Sequence, residues 1–219
     1  TYEANVIDKN RMKRSIYEAG IRVPLIISGP GVGGTLGRTT REYVQATDLF
    51  STILDLAGIT RAKAEATDRY FDTYTFKPIL ASDTGVSARD FMFFERFSPN
   101  GARADADFVE TAVTKEFLTH PTTGATLDDT DAGIYRSGTW KYLDFVNEDG
   151  STSAHLFRIL DKNKNNPLGL SASDPYEQTD LIDSADSDIV DIKAALIAKM
   201  AAVLASEPSY PGDPSGANT

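Results

Sequence analysis

Lys13, Arg14, Tyr17 and Glu18 fall in one short stretch that ends at Ala19-Gly20, a turn signal, so these side chains belong to a loop. An ammonium on a loop at a sheet edge is a compact point charge suited to a tetrahedral oxyanion. By residue type alone, a lysine on a polar surface is far more often a solvated side chain. Other chemistry-bearing types are sparse. Cysteine is absent, which excludes disulfides, thiolate metal sites and a cysteine nucleophile within the chain. The only two histidines, His120 and His155, lack ligand spacing to another candidate and read as structural or surface groups. Asp161, Asn163 and Asn165 imitate the start of a calcium loop. Asn166 replaces the required glycine and Ala172 the bidentate glutamate, so calcium binding there is rejected. The Gly31-Val32-Gly33-Gly34 run has Leu36 at the third glycine of a dinucleotide fingerprint and reads as a turn. Trp140, Phe93 and Phe94 could form a sugar-stacking platform, but core packing accounts for them better.

The elements that must position these residues follow from patterning. Residues 23–27 are an apolar run closed by Gly29-Pro30-Gly31, with Pro24 near its start, which predicts a buried strand. Thr47 or Asp48 caps a predicted helix whose Leu49, Phe50, Ile53, Leu54 and Ala57 form an apolar face, and Gly58 ends it. Loop, strand and helix make half of an α/β unit and need a sheet to lie on. Beyond a charged, interrupted connection at 61–77, strands are predicted at 91–97 and 108–118. A hairpin is predicted over 133–146, with Ile134-Tyr135-Arg136 turning at Ser137-Gly138 into 140–145, and a further strand at 155–160. In 187–206, Ile189, Ile192, Leu196, Met200 and Val203 recur at spacings of three and four, an amphipathic helix with Asp188 and Asp191 near its start. Strands followed by one helix make a small α+β layer.

Composition bounds the function. With 219 residues there is room for one large domain or two small ones, and 41% hydrophobic residues suffice for a core. The net charge of −10 argues against nucleic acid as a partner, because phosphate binding needs clustered Lys and Arg. No apolar run approaches the ~20 residues that span a bilayer, so no membrane partner is expected. The chain opens at Thr1 with no signal-like start, which reads as a fragment, a processed chain or one part of a nicked protein.

From Lys13 to Gly31 the order Lys, then Tyr-Glu-Ala-Gly, then Arg-Val-Pro and an apolar stretch ending in Gly-Pro-Gly resembles the sulfatases of the alkaline-phosphatase superfamily. Ala19 stands where that family usually has the first of two glycines. Residues 48–58, DLFSTILDLAG, are similar to the family's Asp-Leu-x-Pro-Thr-Leu-Leu-Asp-Leu-Ala-Gly helix, with Ser51 in place of proline. Residues 135–142, YRSGTWKY, resemble its Val-Arg-x-Gly-x-Trp-Lys-Tyr hairpin. Leu156-Phe157, Asp174-Pro175-Tyr176-Glu177 and Asp180-Leu181 resemble its ending, split by an Asn-rich insertion.

The resemblance covers the C-terminal portion of a sulfatase and carries several implications. Residues 1–80 would be the end of the large α/β catalytic domain with its mixed sheet. Residues 81–219 would be a small C-terminal domain with an antiparallel sheet and a helix. Lys13 matches the lysine that contacts the sulfate oxygens, while Glu18 and Arg22 read as charges that brace the loop, an ion pair between them being one way to do so. The formylglycine nucleophile, made from a Cys/Ser-x-Pro-x-Arg motif, and the Ca²⁺ ligands have no counterpart here and are expected upstream. No catalytic residue and no metal ligand is assigned to this chain, which is expected to be inactive alone. The expected partners are a sulfate-ester substrate and the N-terminal half of the sulfatase, or another chain covering strand 23–27. A periplasmic or secreted location goes with the family. Two rivals stay open: a phosphoester or phosphonate hydrolase of the same superfamily, and a non-catalytic binding module.

Overall fold

A computed structural model describes residues 11–59, 73–97, 109–127, 136–147, 149–160, 174 and 176–206. It is a mixed α/β structure with a four-stranded antiparallel sheet and a C-terminal helix. Two compact units are present, Thr1–Gly29 with Asp90–Ile197, and Pro30–Arg89 with Ala198–Thr219.

The first unit is built on the sheet. Strands β1 (Phe91–Phe97), β2 (Val109–Phe117), β3 (Gly138–Val146) and β4 (Thr152–Leu160) lie in the order β1-β2-β3-β4. The first two match the expected strands, and β4 starts three residues before the expected His155. The expected hairpin within 133–146 is corrected. Gly138 does not turn the chain; it opens β3 opposite Phe117, and β3 pairs with β4 around the loop 147–151. That loop has the better turn chemistry: Gly150 sits at φ 78° and donates its N–H to the Asn147 carbonyl, while Asp149 accepts from the Ser151 N–H. Ile134 and Tyr135 lie outside the described residues.

Alternation along β3 sends Lys141 and Leu143 to one sheet face and Trp140 and Tyr142 to the other, and all four are buried. On the first face Ala112, Leu143, Phe157 and Ile159 form a core with Ile16, flanked by Tyr17, Phe94 and Phe145. Each fully buried aliphatic or aromatic side chain there contributes about 1.5–3 kcal/mol. The loop residue Ile16, only 2% exposed, is thus what fixes the N-terminal stretch to the sheet. The expected C-terminal helix is present as Ser187–Ala205, numbered α4 below, with Ile189, Ile192 and Leu196 buried. Its N-cap is Asp186, whose Oδ1 accepts the N–H groups of Asp188 and Ile189.

Short helix α1 (Glu18–Ile21) follows the loop. The strand expected at 23–27 is not formed: residues 22–28 are in no regular element and pair with no strand among the described residues. Val23 is 75% exposed, Leu25 52% and Ile26 92%. An apolar run becomes a strand only when neighbours supply its ladder, and no neighbour for it occurs among the described residues.

The second unit carries α2 (Asp48–Leu56) and α3 (Lys77–Ala81). The expected helix at 48–58 is present, but its burial is inverted. Of the expected face, Leu49, Phe50, Ile53 and Ala57 are exposed and Leu54 is half-buried, whereas Asp48 and Thr52 are buried. Of the two expected caps, Thr47 holds the N-cap position, without a side-chain hydrogen bond, while the Asp48 carboxylate accepts from Arg89 Nη2 at 2.6 Å, Arg89 Nε at 3.0 Å, and the backbone N–H groups of Gln45 and Tyr74. Thr52 Oγ1 donates to the Asp48 carbonyl and accepts the Phe76 N–H. The polar positions of this stretch therefore brace one helix against 73–76 and Arg89, and the apolar positions are left facing outward.

Candidate functional site

Lys13 occupies the corner of a tight turn. The Ser15 N–H donates to the Met12 carbonyl at 3.1 Å and Ser15 Oγ donates to the same oxygen at 2.6 Å. Arg14, at φ 73°, takes the left-handed position of that turn, which a non-glycine residue adopts only at a cost. The Lys13 side chain is exposed, and no hydrogen bond or ion pair involves it among the described residues.

The turn is held tightly from below. Gly20 lies so close that a Cβ added there would be 2.3 Å from the Ser15 carbonyl oxygen and 2.6 Å from that of Met12. Hence the Tyr-Glu-x-Gly pattern needs its second glycine, while Ala19, which departs from the usual sequence, is exposed and tolerated. Ile16 enters the core, and Tyr17 stacks on Phe145 with ring centroids 6.0 Å apart. Arg11 places its guanidinium 4.7 Å above the Tyr17 ring and donates to the Glu177 carbonyl. Burial raises the Tyr17 phenol pKa above its usual range, outweighing the nearby Arg11 charge.

Glu18 is 8% exposed and does not pair with Arg22, which is exposed and meets it only through the Arg22 N–H and the Glu18 carbonyl. The partner of Glu18 is Lys141, fully buried, whose Nζ lies 3.1 Å from Glu18 Oε1 and 2.9 Å from Glu177 Oε1. Glu177 Oε2 accepts the Glu18 N–H at 2.6 Å, and Oε1 meets no donor other than that ammonium among the described residues. Burial pushes the Glu177 carboxyl above the usual glutamate range despite the attraction of Lys141. Glu177 also sits at φ 54°, a strained position for this residue type. Neither Lys141 nor Glu177 is among the expected site residues, although both lie in the Trp-Lys-Tyr and Asp-Pro-x-Glu pieces of the family pattern, and Lys141 is a charge at an alternation position shared with Leu143 and Phe145.

The remaining candidates resolve as structural. Trp140 is fully buried and donates its indole N–H to the Arg136 carbonyl, and Phe93 and Phe94 are half-buried, so no stacking platform forms there. His120 Nδ1 accepts the N–H groups of Thr122 and Thr123, leaving Nε2 toward Asp188 and Asp191. His155 pairs with Asp180 at 2.7 Å. Gly31 and Gly34 have positive φ in an irregular loop, in keeping with a turn. The 161–165 segment lies outside the described residues. Among the described residues no grouping of His, Cys, Asp and Glu could hold a metal ion, so they do not fit the Ca²⁺ site that the family resemblance implies. No helix among them is long and apolar enough to cross a membrane.

Residues 1–59 match the Sulfatase family. N-acetylglucosamine-6-sulfatase from Bos taurus is 35% identical over 83 residues, a region covering 38% of this chain and 14% of that protein. The Capra hircus protein gives the same figures, and the Homo sapiens protein is 34% identical over the same length. The chain thus spans about one seventh of the length of these relatives, which are 14% covered. No solved structure gives a significant match. The similarity to the Sulfatase family thus lies over residues 1–59, the stretch that contains the Lys13 turn.

Proposed function

We infer that this chain is the C-terminal part of a sulfatase, a sulfuric ester hydrolase, and that Lys13 contacts the sulfate group. The observation that carries this reading is the presentation of Lys13: an exposed ammonium, without an ion-pair partner among the described residues, at the corner of a braced turn inside the stretch that matches the family. In this reading residues 1–80 end the large catalytic domain, built on an alkaline-phosphatase-like mixed sheet. Residues 81–219 form the small domain beside the substrate cleft. Sulfate-ester hydrolysis develops negative charge on the leaving oxygen and the sulfuryl oxygens, and fixed cations stabilise it most where water is excluded. Lys13 supplies one such charge.

The formylglycine nucleophile and the Ca²⁺ ligands belong, in this reading, to sequence outside these 219 residues, and the part played by this chain is to place one cation against the sulfate. The exposed apolar run 23–27 is in keeping with a covering partner, the N-terminal half of the enzyme, because isolated apolar edges are aggregation-prone. The substrate is a sulfate ester, and the named relatives make N-acetylglucosamine 6-sulfate the first glycan to try. A periplasmic or secreted location accompanies the proposal.

The test is hydrolysis of an aryl sulfate and of N-acetylglucosamine 6-sulfate, with calcium, by a polypeptide that continues upstream of Thr1. Turnover that falls on Lys13→Ala is expected, and none by the 219-residue chain alone. Enzymatic turnover by the chain alone, or a preference for the matching phosphate monoester, would sink the reading.

A further inference from the structure

We propose that Lys141 and Glu177 are positioning residues for the Lys13 turn, acting through Glu18. The functional meaning of this inference rests on the sulfate reading of Lys13; its structural content does not. Three separate segments converge. Glu18 follows the turn, Lys141 lies mid-strand on β3, and Glu177 precedes α4. The ammonium of Lys141 is fully buried between two carboxylates, and Glu177 grips the Glu18 N–H as well as the ammonium. Arg11 closes the ring from the other side by donating to the Glu177 carbonyl while lying over Tyr17. The turn is therefore clamped at both ends, at Arg11 before it and at Glu18 after it.

Stability alone is a weak reason for this arrangement, because a buried ion cluster usually gains little over an apolar replacement of the same volume. It does fix geometry, since each charge accepts only a narrow set of partner positions. Glu177 keeps a left-handed backbone at φ 54°, where glycine would be unstrained, so the carboxylate is retained at the expense of local backbone strain. An ammonium that must meet a tetrahedral anion needs such support, for a misplacement of about 1 Å at a reacting centre can cost about a hundredfold in rate.

The experiment uses the 219-residue chain and its Lys141→Met and Glu177→Ala variants, with amide hydrogen exchange read residue by residue. The Ser15 and Glu18 amides are expected to exchange about a hundredfold faster in both variants, while Val113 and Leu143 amides keep the wild-type rate. Unchanged exchange at Ser15 and Glu18 in either variant would overturn the proposal. So would equal acceleration at Leu143, which would make the cluster an element of global stability. A parallel titration with inorganic sulfate separates the two readings. If the wild-type Lys13 resonances do not respond to sulfate, or the rest of the turn responds equally in a Lys13→Ala background, the sulfate reading falls. The exchange result still decides the positioning role.

Discussion

Gly20→Ala separates two opposite expectations. In a helix such as α1, replacing glycine with alanine ordinarily stabilises a protein by about 0.4–1 kcal/mol, because the unfolded chain loses freedom. Here the added Cβ would stand 2.3 Å from the Ser15 carbonyl oxygen, 2.6 Å from the Met12 carbonyl oxygen and 2.7 Å from Ser15 Oγ. Two of these are backbone atoms of the Lys13 turn and cannot rotate away. Restoring van der Waals separation requires the turn to move by about 1 Å, and overpacking of this kind costs about 1–3 kcal/mol. The net effect is therefore a destabilisation of about 1–2 kcal/mol, opposite in sign to the ordinary one. Ala19→Gly, at an exposed position of the same helix, should cost less than about 1 kcal/mol. Urea denaturation of the three proteins, followed by circular dichroism, measures both changes. A Gly20→Ala variant as stable as wild type, or more so, refutes the close packing of turn and helix from which the effect is calculated.

Asp48→Ala leaves the Arg89 guanidinium buried without its main counter-charge, since both side chains are 2% exposed, and should cost about 3–5 kcal/mol in the same assay. A loss below about 1 kcal/mol would mean that water reaches Arg89. Ile26→Ser should change stability by less than about 0.5 kcal/mol, because the side chain is 92% exposed; a cost of several kcal/mol would place this segment in a sheet after all. The Arg136 guanidinium holds the Asp186 carboxyl below the usual aspartate range, so its contribution is present above the unfolded value of about 3.9 and lost as pH falls through the folded one. Asp186→Asn should flatten the acid limb of a stability-against-pH curve, and an unchanged limb would show that the pair contributes nothing.

Periodicity by itself marked the strands at 91–97 and 109–117 and the C-terminal helix, though it put a hairpin turn at Ser137-Gly138 where the fold has the start of β3: the alternation in 109–117 and the three-and-four spacing of Ile189, Ile192 and Leu196 are set by backbone geometry. The Ala19-Gly20 turn signal also marked the glycine two residues after Glu18, which the fold packs against the Met12 and Ser15 carbonyls. What the sequence could not decide was partnership. Residues 23–27 have the composition of a buried strand, yet strand hydrogen bonds come from neighbours, and none is present among the described residues. Helix α2 has an apolar face that reads as its inner one, but four hydrogen bonds to the Asp48 carboxylate turn the polar face inward. Glu18 looked like a partner for Arg22, its neighbour along the chain. Only the fold brought Lys141 and Glu177, more than a hundred residues away, to a point where a desolvated carboxylate must find a cation.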